Sequence, residues 1–403
     1  MNARVPGRHF LQIPGPTNVP DRVLHAIAEP TIDHRGPAFA ELGRAVLTGM
    51  RRVIGTSGPV IIYPASGTGA WEAALVNTLS PGDTVLMVRT GWFATLWQDM
   101  ATRLGLAPLI IETDWRRGAE PAAIEAALTE DGAHRIRAVC VVHNETSTGC
   151  VSPIAEVRAA IDAAKHPALL MVDTISSLAS LDYRHEEWGV DVTVAGSQKG
   201  LMLPPGLSFN AVSPRALAAA ETARLPRSYW DWRPMLEANA GFVFPFTPAT
   251  NLLRGLQVAI GMLEEEGLPN VFARHACHGA ATRAAVQAWG AKGGIELQCQ
   301  EPRDYSGSLT AVRLPPGHSA DRLRALILSR FNMSLGNGLG QLKDRVFRIG
   351  HLGDFSDLSL IGTLGGVEMG LRLAGLPHGA GGVQAAVSVL SAAVGEATVR
   401  DRG

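Results

Sequence analysis

Leu169-Leu170-Met171-Val172-Asp173-Thr174 and Val194-Ala195-Gly196-Ser197-Gln198-Lys199-Gly200 are the two stretches on which the reading of this chain turns. Each is a short apolar run, sized for a buried strand, with a charged residue at or just past its end. A carboxylate closing a buried strand is costly unless something cationic meets it. Asp173 also reads as an N-cap or turn residue. Lys199, flanked by glycines just past its strand, is unusually placed for a lysine. If local burial and neighbouring charge lower its pKa, its amine can form a Schiff base with a carbonyl.

Working outward, further short runs at 84–89, 108–112, 138–143 and 207–212 join those at 168–173 and 192–195 as strand candidates. Ala-rich amphipathic stretches at 69–79, 92–104, 121–128 and 153–164 lie between them. This alternation predicts βα units and a buried, mostly parallel sheet. Composition changes after Thr247-Pro248, where a long helix over 251–266 leads into a second α+β set with strands at 294–299, 309–314 and 346–349. The expected organisation is an N-terminal arm (1–20), a large domain (21–266) and a small C-terminal domain (267–403).

In an open α/β sheet, ligands bind beyond the carboxyl ends of the strands. Two further polar segments are expected there. Pro64-Ala65-Ser66-Gly67-Thr68-Gly69 opens a helix with small residues, and the free N–H groups of a helix start favour a phosphate. The same segment also reads as an N-cap with a tight turn. It is no dinucleotide fingerprint, lacking the third small residue and the acidic partner. His143-Asn144-Glu145-Thr146-Ser147-Thr148-Gly149 crowds polar side chains after an apolar strand, as a site or a hydrogen-bonded loop would. An anion cradle, a polar strand end, a strand-end Asp and then a strand-end Lys 26 residues later is the layout a pyridoxal 5'-phosphate site requires.

The 403 residues are 46% apolar and 18% charged, an ordinary globular composition. Lys plus Arg gives 36 and Asp plus Glu 37, so no basic surplus points to nucleic acid or an anionic membrane. Cys140, Cys150, Cys277 and Cys299 form no C-x-x-C pair, and the N-terminus has no apolar signal core. A cytoplasmic protein without membrane spans is expected. His275 and His278 flank Cys277 at a spacing that suits a metal, but no third or fourth ligand stands near. No metal is expected, and the two histidines are read as helix-surface or interface residues.

The chain resembles the class V aminotransferases of the serine–glyoxylate and alanine–glyoxylate type. The resemblance rests on Pro14-Gly15-Pro16-Thr17, Ser66-Gly67-Thr68-Gly69, His143-Asn144-Glu145-Thr146, Val172-Asp173, Gly196-Ser197-Gln198-Lys199 and Phe347-Arg348-Ile349-Gly350, in family order over nearly the whole chain. His34-Arg35, Asn77-Thr78-Leu79 and Lys199-Gly200-Leu201-Met202-Leu203-Pro204 are shared with the bacterial serine–glyoxylate branch. The resemblance implies the type I fold of the aspartate aminotransferases, a homodimer and pyridoxal 5'-phosphate. By it, Lys199 binds the cofactor aldehyde, Asp173 faces the ring nitrogen, and Ser66, Gly67, Thr68 and Gln198 hold the phosphate. Phe93 stacks on the ring, Thr146 reaches the phenolic oxygen, Arg348 clamps the substrate carboxylate and Gly15 lines the substrate pocket. Thr247 comes from the neighbouring subunit to the phosphate, while Phe244 stands where the family has a tyrosine.

The implied activity moves an amino group from an amino acid, serine first, to glyoxylate, giving glycine and a 2-oxo acid. Aspartate and alanine are the alternative donors, with Arg35 a candidate cation for an aspartate side chain. A lyase or cysteine desulfurase on the same fold fits less well. The Ser334–Gly340 loop has no cysteine, and Phe93 stands where desulfurases carry a histidine.

Overall fold

The structure, a computed structural model, describes residues 7–400, so residues 1–6 of the expected arm and 401–403 of the C-terminal segment lie outside it. Seven strands form the main sheet, in the spatial order Val60–Tyr63, Ser208–Val212, Val192–Gly196, Leu169–Asp173, Ile136–Val142, Thr84–Arg89, Ala107–Glu112. Neighbours from Val192–Gly196 to Ala107–Glu112 pair parallel, and Ser208–Val212 runs antiparallel to both its neighbours. The central strands are buried throughout, which explains why their sequences are continuous apolar runs and not alternating ones.

Register decides where the chemistry goes. Val142 pairs with Asp173, and Asp173 pairs with Val194. Two strands therefore stop at one level and the third runs two residues further, so the loops starting at His143, Thr174 and Ser197 leave the same edge. The helix expected from Gly69 begins two residues earlier and spans Gly67–Thr78, with Ser66 extended as its N-cap. Together with Trp92–Arg103 it packs one face of the sheet, where Trp71 and Trp97 stack at 5.8 Å between ring centroids. A fully buried indole contributes about 3–5 kcal/mol relative to alanine, so this pair anchors both helices. Pro37–Ile54, Ile154–Ala163 and Thr250–Glu266 cover the other face.

A second sheet of five strands follows the order Phe10–Gln12, Met333–Asn337, Val346–Gly350, Leu309–Arg313, Glu296–Leu297. Its first strand comes from the N-terminal segment, Phe10 pairing parallel with Met333. The expected strand at 294–299 shortens to Glu296–Leu297. Helices Leu268–Gly290, Ala320–Phe331 and Asp357–Leu373 enclose this sheet's apolar core.

His275 and His278 do not lie on a helix surface; both are fully buried. His275 sits between Ser180 O at 3.0 Å and the Gly353 N–H at 3.1 Å, and His278 Nε2 meets Asp357 at 2.8 Å. Burial pushes His275 down to about 4, so it is a neutral packing residue. The partners that explain its burial come from segments far apart in sequence, which periodicity along one helix cannot reveal. Among the described residues, no three His, Cys, Asp or Glu side chains converge as metal ligands, and no helix is long and apolar enough to cross a membrane.

Candidate active site

A cavity of about 230 Å³ opens at the carboxyl edge of the main sheet, and Lys199 and Asp173 both line it. Ser66, Gly67 and Thr68 supply one wall, Phe93 and Thr146 another, and Gln198 and Gly15 complete it. Nine of the eleven expected residues thus meet in one place. Arg348 is buried beside them, its Nη1 donating to Thr146 O at 2.9 Å and its Nε to Asn337 O at 2.8 Å. Thr247 is exposed and is not among the residues lining this cavity. Phe244, near it, packs its ring at 6.0 Å from Phe39.

Lys199 is held by the N-terminal segment. Its Nζ donates to Pro14 O at 3.2 Å, while Thr17 N–H and hydroxyl donate to the carbonyls of Gln198 and Lys199. Gly15 adopts φ +147°, and a Cβ there would stand 2.4–2.6 Å from the Lys199 side chain, so only glycine lets the segment lie over the amine. Gly200 meets the same limit against Leu178 O at 2.3 Å. Burial, then the nearby Arg348 charge, lowers the ammonium of Lys199 to about 8. That shift leaves an appreciable fraction as neutral amine near neutral pH, the form that attacks carbonyls.

Asp173 faces it from the neighbouring strand. Its Oδ1 accepts the Ile175 N–H at 2.7 Å and its Oδ2 the Trp71 indole N–H at 3.0 Å. Burial raises this carboxyl to about 7 in spite of those donors, with the charge of Glu145 adding to the rise. A cationic group bound in the cavity would return it to the carboxylate. Trp71 was not among the expected site residues. Its signal was in the sequence, one helical turn past Gly67 on the same face, since a buried indole N–H needs an acceptor.

The start of the Gly67–Thr78 helix is open to an anion. Ser66 makes no capping bond with its side chain, and the first amides of a helix have no intrahelical partner. Nearby, Gln198 Oε1 is buried with no hydrogen-bond partner. The Thr146 hydroxyl donates to Ser176 Oγ at 2.8 Å, and Ser176 Oγ donates to Asn144 O at 2.7 Å. The polar loop is thus both a cavity wall and an internally bonded network, the two readings its sequence admitted. His143 is not part of the wall. It bonds Ser177 Oγ at 3.0 Å, and burial lowers it to about 4.

An anion cradle, a nucleophilic amine and a carboxylate on one cavity suit a ligand with a phosphate, an aldehyde and a basic ring nitrogen. Comparison with known proteins agrees. The family model described as aminotransferase class-V matches residues 9–338. The chain is 49% identical over 394 residues to a serine–glyoxylate aminotransferase of Methylorubrum extorquens, covering 96% of this chain and 97% of that one. It is 47% identical over 366 residues to an L-aspartate–glyoxylate aminotransferase of Paracoccus denitrificans, covering 91% of each. The crystal structure of pyridoxamine–pyruvate aminotransferase from Mesorhizobium loti superposes with a TM-score of 0.89 at 29% identity, over 97% of this chain and 100% of that one. With the fold, the cavity and the sequence in accord over nearly its full length, the chain belongs to the class V aminotransferases, enzymes that work with pyridoxal 5'-phosphate.

Proposed function

We propose that this enzyme moves the amino group of an amino acid, L-serine first, to glyoxylate, releasing glycine and, from serine, hydroxypyruvate. The observation that carries the chemistry is the meeting of Lys199 and Asp173 on one cavity. The choice of acceptor is supported by two relatives whose names both carry glyoxylate. Aspartate and alanine are the alternative donors. Arg35, the candidate partner for an aspartate side chain, is exposed after the first helix, its amide bonded to Asp33 at 2.9 Å.

The residues present fit pyridoxal 5'-phosphate. When bound, the cofactor supplies an aldehyde that accepts an amino group and a ring that draws negative charge from the substrate carbon. The amides at the start of the Gly67–Thr78 helix, with Ser66, Thr68 and Gln198, would hold its phosphate, Asp173 would keep the ring nitrogen protonated, Phe93 would cover the ring and Thr146 would meet the phenolic oxygen. Lys199 Nζ would hold the aldehyde and, as a free amine, would take the proton from the substrate Cα as general base and give it up on the cofactor side as general acid. Arg348, fixed through Nε and Nη1, keeps its Nη2 for the substrate carboxylate, a charge-assisted contact that the planar guanidinium suits. Gly15 leaves room for the substrate beside Lys199.

The proposal extends to assembly and organisation. The enzyme is a cytoplasmic homodimer in which Thr247 of the partner subunit reaches the phosphate and Phe244 forgoes the family tyrosine's hydrogen bond. Its domains divide near residues 20 and 266, with the arm lending Phe10–Gln12 to the second sheet.

The test is a panel of amino acids with glyoxylate, compared by kcat/KM. Serine is expected to rank first. Aspartate far ahead of serine would overturn the donor and leave the acceptor standing, whereas no glycine from any donor would overturn the acceptor.

Uptake of cofactor by the apoenzyme has a defined pH dependence. Only neutral Lys199 attacks the aldehyde, and its ammonium titrates near 8. The rate at which the visible band of bound cofactor grows should therefore climb with pH, about tenfold per unit below the pKa, and level off above it. A rate still climbing about tenfold per unit beyond pH 9 would contradict a depressed amine, and a flat rate from about 6 to 9 would contradict titration near 8.

A further inference from the structure

Glu145 is fully buried in the loop that walls the cavity, and the mechanism above leaves it without a task. Its Oε1 accepts the Ser147 hydroxyl at 2.6 Å, the Ser147 N–H at 3.0 Å and the Phe93 N–H at 3.4 Å, and its Oε2 accepts the Ala94 N–H at 3.1 Å. Three backbone N–H groups donate to it and the Ser147 hydroxyl, oriented by accepting the Trp92 N–H, stands beside it, so the donor set favours the carboxylate, even though burial works in the other direction. The Phe93 and Ala94 amides belong to the first turn of helix Trp92–Arg103, where intrahelical partners are missing and the helix dipole favours an anion. Ser147 Oγ takes the Trp92 amide of the same turn at 2.9 Å. The fit is tight, since a Cβ on Gly91 would stand 2.4 Å from Glu145 Cγ and 2.5 Å from Ser147 Oγ. The adjoining residue, Thr146, lends its carbonyl to Arg348 Nη1 at 2.9 Å.

We propose that Glu145 is a positioning residue, which seats Phe93 over the cofactor ring and fixes the Thr146 carbonyl that orients Arg348, while serving as the buried anion that balances Lys199 and Arg348. This rests on the assignment of Lys199, Phe93 and Arg348 made above. One carboxylate thereby couples the ring-covering aromatic to the substrate-carboxylate clamp across two sheets. The charged groups that share its environment are Asp173, Lys199 and Arg348; its negative charge disfavours the Asp173 carboxylate and favours both cations.

The test uses the holoenzyme and two variants. Glu145→Gln keeps size, removes the charge and turns an NH₂ toward the donor that Oε2 now accepts. The pH midpoint of the visible cofactor band should fall by about one unit, because a nearby anion no longer favours the protonated lysine nitrogen. Displacement of Phe93 and Arg348 should lower kcat/KM for the amino donor by about 100-fold. Ser147→Ala keeps the charge and removes one of the carboxylate's donors and the Trp92 contact; a fall in kcat/KM with an unmoved midpoint is expected. A Glu145→Gln enzyme that folds and titrates like wild type overturns the proposal. If that variant does not fold, Ser147→Ala decides, and an unchanged kcat/KM overturns it. A wild-type protein with no visible band would instead overturn the assignment of Lys199, so the two failures are distinct.

Discussion

Lys199→Ala is expected to abolish the visible band formed with pyridoxal 5'-phosphate and to lower transamination by at least about 10⁴-fold, the upper range for a group that carries a proton in the transition state. The chain contains only four lysines, and Lys165, Lys292 and Lys343 are all exposed, away from the cavity. No other lysine among the described residues lines the cavity to substitute. The loss would be larger than that of any binding contact because, on the proposed mechanism, one nitrogen does two jobs, capturing the aldehyde and then moving the Cα proton. Cofactor affinity should fall far less, since the helix start, Gln198 and Asp173 remain. Borohydride reduction of wild type should fix the cofactor on the peptide containing Lys199. Fixation on another lysine, or a Lys199→Ala protein that keeps its band and its turnover, would show that the amine of this cavity is not the one at work. The variant should also be at least as stable as wild type, because burial outweighs the favourable charges of Asp173 and Glu145 at Lys199, so removing the lysine relieves a desolvated cation.

What made that residue findable was its place at a strand end. The strands around Asp173 and Lys199 are continuous apolar runs, and such runs, cut by charged residues, display both the parallel sheet and the edge where ligands bind. The elements expected from local patterns fall within about two residues of those observed, but Pro37–Ile54, Asp357–Leu373 and the strand Val60–Tyr63 were not expected at all. Local patterns are silent about pairings between distant segments. Phe10–Gln12 has no period of its own that assigns it to a sheet, and only Met333–Leu335, more than 300 residues away, makes it a strand. Burial of polar residues is equally hidden. His275 and His278 sit on a helix whose sequence alone suggests solvent, because the carbonyl of Ser180 and the carboxylate of Asp357 come from elsewhere. Trp71 and Glu145 stand inside stretches that sequence reasoning had singled out. Yet their contacts with Asp173 and with the Phe93 amide depend on how a helix start meets the neighbouring strand end. The thiols, glycines and charges of a sequence are visible at once; which of them share a cavity is decided by register.

Asp173→Asn separates electronics from binding. The carboxylate is fixed by two donors, Ile175 N–H on Oδ1 and the Trp71 indole on Oδ2. Asparagine matches its shape, but one of its positions becomes an NH₂ facing a donor, so Trp71 or Ile175 loses its acceptor. More consequential is the missing negative charge. The wild-type carboxyl is raised to about 7 by burial, and on the proposed mechanism a protonated ring nitrogen beside it would bring it to the carboxylate and would itself be held protonated. Without that partner the ring withdraws charge from the substrate carbon less effectively, and the barrier to Cα proton removal rises. Loss of one preorganised electrostatic partner in a buried site costs about 10²–10³-fold in kcat, and that is the fall expected here. Lys199 is untouched, so the visible band should persist, in contrast to Lys199→Ala. Lys199 also loses a neighbouring anion that favoured its ammonium, and its titration should move lower. A variant that keeps its band but turns over as fast as wild type would mean that Asp173 serves only to anchor Trp71 and the following turn. A variant that loses the band altogether would mean that the carboxylate acts in cofactor binding before it acts in catalysis.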